Sequence, residues 1–484
     1  MNATPSIEAL EFRFHVLPMR TRFPFQYGIA SMTDLPHLLV ETTLRVDGKE
    51  TTGLTSEGLP PKWFTKDPTT HFDEDLPEMI RVVRHAADAA VGIGRMRNFF
   101  EFGWGLGQTQ EAWATAEHIP GLLAHLGVAL VERATLDGLC RATRCPVGDL
   151  LRTNRIGARL SAVHPSLRDG DWDALFSANP PTRPWVRHTV GLGDPLDATD
   201  VAQGSRPDDS LPYTLEENIE AYGLRYFKIK LCGDLQTDRS RLGRLAPLLT
   251  RRVGPDLRFS LDGNEQFKDL DAFREHWDGL VAMPELKPLW AGLLYVEQPI
   301  HRNHALDPKL QEAFRAWDDA PAVILDESDG NYASLPRALE LGYRGVSHKN
   351  CKGIVKSLVN AALAKQANAV VSGEDLANVG PIALTQDTVM AAVLGVEHME
   401  RNGHHYFAGL SMWPESIQQS VLRSHPDLYR STQSGYPALS IEGGRIQIDS
   451  LLQAPFGYQD TLDLSAFETL DHWLGRHSGS AGPA

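Results

Sequence analysis

The sequence predicts an α/β protein, a modified TIM-type (β/α) barrel behind an N-terminal α+β capping domain. Three observations lead there. From Trp185 onward, short apolar strands recur about every 25–35 residues, the spacing of one βα unit in an eightfold barrel of about 250 residues. Nearly every one of those strands ends in a charged or amide side chain. No Gly-rich phosphate turn follows the first of them, as an open doubly wound sheet would usually carry.

Composition frames the reading. The 484 residues suffice for two or three domains and an ample core, and 42% hydrophobic with 23% charged is ordinary for a globular protein. A formal charge of −15 repels polyanions, so neither nucleic acid nor an anionic membrane is expected as partner. No apolar run reaches the length of a membrane span, and Met1–Pro5 lacks a basic stretch leading into an apolar one. Cys140, Cys145, Cys232 and Cys351 are few and scattered, which suits a reduced cytoplasmic protein better than a disulfide framework. Assembly as a homo-oligomer is expected.

The capping domain is placed at residues 1–160. In it, Leu38 to Val46 reads as a strand entering a hairpin turn at Asp47-Gly48. Ala129 to Ala142 reads as a helix with Leu136, Leu139 and Cys140 on one stripe. Pro146 and the Pro/Asp/Gly-rich passage from Pro165 to Pro184 mark a boundary. The barrel is placed at 185–415, a C-terminal segment returning to the cap at 416–475, and a flexible tail at 476–484. The eight barrel strands are expected at Trp185–Val190, Tyr226–Leu231, Phe259–Asp262, Leu294–Glu297, Val323–Asp326, Gly345–Ser347, Ala369–Ser372 and His404–Leu410.

The second strand holds the most telling residues. Lys228 and Lys230 are two apart, so both ammonium groups project to one face. Burying like charges together is costly, and each should depress the other's pKa. A lysine that acts as a base near neutrality needs such depression; moving it from about 10.4 to about 7.5 takes roughly 4 kcal/mol. The other strands end in Asp262 with Asn264, in Glu297, in Asp326-Glu327 and in His348-Lys349, and Glu374-Asp375 follows the seventh. In a barrel these ends converge on one mouth. A lone aspartate there is commonly a helix cap, but carboxylates at the same point of three successive units argue for a shared site. Such hard oxygen donors suit Mg²⁺ better than zinc.

The ordered set of strand-end motifs resembles the enolase superfamily, and within it the muconate-lactonising, two-lysine branch of the mandelate racemase/muconate lactonising enzyme family. The matching residues are Lys228-Ile229-Lys230, Leu261-Asp262-Gly263-Asn264, Val296-Glu297-Gln298-Pro299, Leu325-Asp326-Glu327-Ser328 and His348-Lys349-Asn350-Cys351-Lys352-Gly353. In the front domain, Arg22-Phe23-Pro24-Phe25 looks like the family's flexible capping loop and Glu132–Leu139 like its last cap helix. Gly443–Ile446 and Ala454–Gly457 look like the tail that returns to the cap. The resemblance implies Asp262, Glu297 and Asp326 as ligands of Mg²⁺, with Mn²⁺ as a substitute. It implies Lys230 and Lys349 as acid/bases on opposite faces of a small carboxylate-bearing substrate, supported by Lys228 and Asn264; Glu327 and Glu374 would line the pocket. The implied reaction is removal of the proton α to that carboxylate through an enediolate, ending in racemisation or epimerisation, dehydration, or cycloisomerisation.

Departures from the family pattern are informative. The branch usually follows its sixth-strand lysine with Gly-Gly, whereas this chain offers Lys349, Lys352 and the single Gly353. Strand parity groups Ser347, Lys349 and Cys351 on one face and His348 with Asn350 on the other; Lys349 is preferred over Lys352 as the second acid/base because it lies at the strand end, whereas Lys352 falls in the loop. No histidine follows the seventh strand, which argues against the histidine-dependent mandelate racemase branch. His348 reads as a packed histidine, His404-His405 as the opening of the eighth strand, and Cys232 and Cys351 as packing. Extra length falls at about Pro60 to Ile119 and at Gly193 to Leu211, the latter either a loop that shapes the barrel mouth or a plain surface insertion. Two other functions fit fewer residues: a Schiff-base lyase or aldolase using Lys349, which needs no converging carboxylates, and a non-catalytic, degenerate relative.

Overall fold

The computed structural model describes residues 4–477. An antiparallel sheet opens the chain, with strands β1 (Ile7–Tyr27), β2 (Ala30–Val46) and β3 (Lys49–Gly58). The expected turn at Asp47-Gly48 joins β2 to β3, both residues having positive φ (49° and 81°), as a two-residue hairpin loop requires. Helices Phe72–Ile93, Phe99–Ala116 and Gly121–Thr143 pack beside this sheet. The third is buried from Leu122 to Cys140 on every face, because it lies between the sheet and the barrel. Contact there is so close that a Cβ on Gly53 would fall 2.0 Å from the Ala134 carbonyl oxygen, so only glycine fits.

The eight parallel strands that follow close into a barrel: β4 (Trp185–Val190), β5 (Tyr226–Lys230), β6 (Arg258–Asp262), β7 (Leu293–Glu297), β8 (Val323–Leu325), β9 (Gly345–His348), β10 (Val370–Gly373) and β11 (His398–Arg401). Both faces of each are covered, and most read as short, largely apolar runs, β11 excepted. The register pairs Lys230 with Asp262 and Asp262 with Glu297, which puts three functional strand ends at one level. A small ribbon, β12 (Tyr429–Ser431) and β13 (Pro437–Leu439), comes next. The chain then returns to the first sheet, where β14 (Glu468–Thr469) pairs with His15 and Val16 of β1. The segment around Gly444 meets the barrel, its carbonyl accepting from Val186 N–H at 2.9 Å. Arg476 and His477 end the helix Leu470–His477, and the rest of the expected tail lies outside the described residues. Among the described residues no helix is long and apolar enough to cross a membrane.

Two expectations fail. The eighth strand is His398–Arg401, six residues before the expected start, and His404–Tyr406 belongs to a short helix, Gly403–Tyr406. The apolar run after His404 is buried by aromatic stacking on β1 rather than by strand pairing: Phe25 stacks on Tyr406 at 4.0 Å. Arg22–Phe25 lies in β1 rather than in a loop, although the ladder is irregular there.

Candidate active site

The carboxyl ends of the barrel strands gather five carboxylates and four lysines, all buried. Lys228 lies deepest. Its ammonium donates to Glu297 (2.8 Å), Glu374 (2.9 Å) and Glu400 (2.9 Å) and lies 3.1 Å from Asp262. Lys230, one layer nearer the mouth, donates to Asp262 at 2.6 Å. Lys349 donates to Asp326 at 2.6 Å and stands 3.3 Å from Glu374, with its ammonium 4.6 Å from the centre of the Trp63 ring. Lys352 turns away from the mouth, donating to the backbone carbonyl of Asp326 (2.8 Å) and to Ser347 Oγ (2.7 Å).

Lys228, Lys230 and Lys349 share one small cavity, roofed by Phe25, Tyr27 and Met32 of the β1–β2 hairpin and by Trp63. Lys352 is absent from its lining, and so is His348. Because β5 and β9 stand four places apart in a ring of eight, Lys230 and Lys349 come from opposite walls. Asp262, Glu297 and Asp326 end the three strands between them on one side; Glu374 and Glu400 rise from the other. Asn264 donates to Glu327 at 3.1 Å, and Asn264 Oδ1 and Glu327 Oε2 are buried without a hydrogen-bond partner. Buried polar atoms of that kind are rare and need a ligand or solvent to explain them.

The electrostatics correct one expectation. Burial pushes the Lys228 ammonium down, but Asp262, Glu297, Glu374 and Glu400 together outweigh it and hold the pKa well above the ordinary value. Lys349 is likewise raised against burial, chiefly by Asp326 and Glu374, with Lys228 opposing. For Lys228 and Lys349, depression by a neighbouring lysine is therefore the smaller effect; carboxylates outnumber the lysines at hydrogen-bond distance. Asp326 is held well below the usual carboxylate range by Lys349 and Lys352 in spite of burial. Burial and the Asp326 charge push Glu327 up to about 7.

The donor set fits a divalent cation. Glu297, Asp326 and Glu374 each offer an oxygen lying within 4.8 Å of the others, all buried and all hard donors. Asp262 has Oδ2 on Lys230 and Oδ1 on the Asn264 N–H (2.8 Å), level with Glu297 across the β6–β7 pair.

Two residues escaped the sequence reading. Glu400 lies on the misplaced strand β11, and its strand-end position was the same signal that exposed the other acids. Arg187, fully buried on β4, donates to Glu374 and to Ser372 Oγ, each at 2.9 Å. Trp63, by contrast, comes from the capping domain and meets Lys349 across the domain boundary.

No family model matches the chain, and no curated protein matches it. Solved structures do. A 2-chloromuconate cycloisomerase from Rhodococcus opacus 1CP superposes with a TM-score of 0.61 at 16% identity, over 95% of this chain and 99% of that one. A mandelate racemase/muconate lactonizing protein from Herpetosiphon aurantiacus gives 0.56 at 18%, over 92% and 96%. An enolase from Bradyrhizobium, complexed with magnesium and mandelic acid, gives 0.55 at 16%, over 98% and 99%. The chain thus has the capped-barrel fold of the mandelate racemase and muconate lactonizing enzymes of the enolase superfamily.

Proposed function

We propose that the protein is an enzyme of the mandelate racemase/muconate lactonizing type that removes the proton α to the carboxylate of a small acid. The observation that carries this is the pair of lysines from opposite barrel walls, Lys230 and Lys349, facing one cavity beside a buried carboxylate cluster. Such a proton is too weakly acidic for an amine alone, so the enediolate must be stabilised as it forms. Mg²⁺, or Mn²⁺ in its place, held by Glu297 and Asp326 with Asp262 or Glu374, would supply that stabilisation as a Lewis acid and offset the negative field that keeps Lys228 and Lys349 protonated. Lys230 takes or returns the proton on one face and Lys349 on the other. Lys228, with no room to move, stays charged and offsets the carboxylates around it. Phe25, Tyr27, Met32 and Trp63 keep water from the proton in transit. Two working lysines give inversion; one working lysine and a leaving group give elimination. The magnesium and mandelic acid in the Bradyrhizobium structure support a small carboxylate as ligand.

Schiff-base chemistry is the weaker reading. It needs Lys349 as a free amine, whereas its ammonium sits 2.6 Å from Asp326, and it has no use for five converging carboxylates.

Incubation of hydroxy acids, acid sugars, N-acyl amino acids and dipeptides with enzyme and Mg²⁺ in D₂O, read by NMR, tests the proposal. A substrate acquires deuterium at its α-carbon, and Lys230→Ala and Lys349→Ala each slow the exchange 10²-fold or more. Exchange that ignores both substitutions refutes the assignment.

A further inference from the structure

β1 and β2 pair regularly except at one place. Between the pairs Arg20–Asp34 and Phe25–Met32, β1 advances five residues while β2 advances two, so Thr21 to Pro24 bulge out of the ladder. The bulge carries Arg22 across the barrel mouth into the long connection between β4 and the helix Leu215–Tyr222. There the guanidinium, 2% exposed, uses its whole fork. It grips both oxygens of Asp209, with Nη2 to Oδ1 at 2.8 Å, and donates to the carbonyls of His405 (2.7 Å), Pro212 (3.1 Å) and Leu211 (3.2 Å). Phe23 lies edge-on to Tyr213 and His405, at 5.0 and 4.9 Å. Closing a two-stranded hairpin requires none of this, and an arginine is buried at a cost unless every donor is met.

Phe25, Tyr27 and Met32, beyond the bulge, roof the lysine cavity, which has about 40 Å³ open to water. A water needs roughly 10–15 Å³ on that measure, so the space admits a few waters and no carboxylic acid of several carbons. Entry requires the hairpin to lift, and Arg22 makes the charged contacts that hold it down across the mouth, beside the ring contacts of Phe23 and Phe25 and the bond from Leu192 N–H to the Gln26 carbonyl (3.3 Å). We propose that Arg22 and Asp209 form a latch, that the insertion after β4 is its keeper, and that the pair sets access to Lys230 and Lys349. Arg22 is on this account a positioning residue, acting through Phe25 and Tyr27. That the latch gates turnover rests on the proton-abstraction reading; the latch itself does not.

Reductive methylation with formaldehyde and dimethylamine–borane, read lysine by lysine by mass spectrometry, tests it on the full chain without a substrate. In Arg22→Ala and in Asp209→Ala, Lys230 and Lys349 are labelled at least tenfold faster than in wild type. The double variant is no faster than Arg22→Ala, because with the arginine gone Asp209 has no part of the latch left to hold. Arg22→Lys behaves like Arg22→Ala, since one ammonium cannot replace the fork. Exposed Lys49 and Lys268 keep their rates, and Lys356, buried on Asp329 outside the cavity, stays protected. Asp209→Asn, the mildest change, gives a smaller gain confined to the two cavity lysines. Unchanged labelling of Lys230 and Lys349 in the single variants overturns the latch. So does Lys356 rising in step with them in every variant, Asp209→Asn included, which would mean general loosening. Loss of deuterium exchange with labelling still gated sinks the chemistry alone; ungated labelling with exchange intact sinks the latch alone.

Discussion

Lys228 touches four carboxylates contributed by four different strands or strand ends, and it is 1% exposed. A charge so placed is tolerated only because its partners are charged too, and removing one side of a buried cluster leaves the other uncompensated. Lys228→Met should therefore cost about 3–5 kcal/mol of stability, read as a lower urea midpoint. A variant as stable as wild type would mean that the surrounding acids hold protons and need no counter-ion. At this scale the sequence was readable as far as strand parity reaches. Two lysines at i and i+2 of an apolar strand announce a shared face, and position at the strand end separates Lys349, which lines the cavity, from Lys352, which lies in the turn beyond and bonds back onto Ser347. The fields acting on those lysines were not readable. Glu374 and Glu400 lie 146 and 172 residues after Lys228, and nothing local shows that they converge on it.

Elements were legible in proportion to how apolar they are. Seven barrel strands have cores of Val, Ile, Leu, Phe or Tyr, and each was placed to within a residue or two. β11, His398-Met399-Glu400-Arg401, has one aliphatic residue, and the neighbouring run from His404 to Leu410 is more apolar. β11 is buried all the same because its polar side chains are matched inside, Glu400 by Lys228 and Arg401 by Asp375 at 2.9 Å. The helix Gly121–Thr143 shows the same principle between domains. Its Glu132 caps the barrel helix Ile354–Gln366, accepting from the N–H groups of Ile354 and Val355. Burial pushes this carboxyl up to about 8, against an ordinary value near 4.5. Between those two pH values the folded protein keeps a proton that the unfolded chain gives up. Folding stability is thus whole below about pH 4.5 and falls as pH rises toward 8, by about 1.4 kcal/mol per pH unit at most. Glu132→Gln keeps an acceptor for both N–H groups and has no proton to lose. It should match wild type at pH 5 and exceed it in urea midpoint at pH 8; equal midpoints at pH 8 would show that Glu132 ionises freely where it lies.

Over the whole molecule, the cap and the barrel together close a charged interior that neither could hold alone. Lys228, Lys230, Lys349, Lys352 and Arg187 face Asp262, Glu297, Asp326, Glu374 and Glu400, five cationic side chains against five acidic ones, with Glu327 as a further buried acid beside Asp326. A cation that binds the folded protein and not the unfolded chain raises stability by mass action, about 2.7 kcal/mol at a hundred times its Kd. Mg²⁺ should accordingly raise the melting temperature in a concentration-dependent way that EDTA reverses, and Glu297→Gln and Asp326→Asn should abolish the rise. Asp262 and Glu374 compete for the third place. Glu374 has the closer oxygen, but both its oxygens are engaged deep in the barrel, by Arg187 and Ser372 on one side and by Lys228 on the other. Asp262 stands level with Glu297 on the adjacent strand, held by Lys230, which lines the cavity one layer nearer the mouth, and by Lys228 at 3.1 Å. Asp262→Asn should therefore lose the Mg²⁺-dependent rise, while Glu374→Gln keeps most of it. The opposite pattern would place Glu374 among the ligands and leave Asp262 as the partner of Lys230.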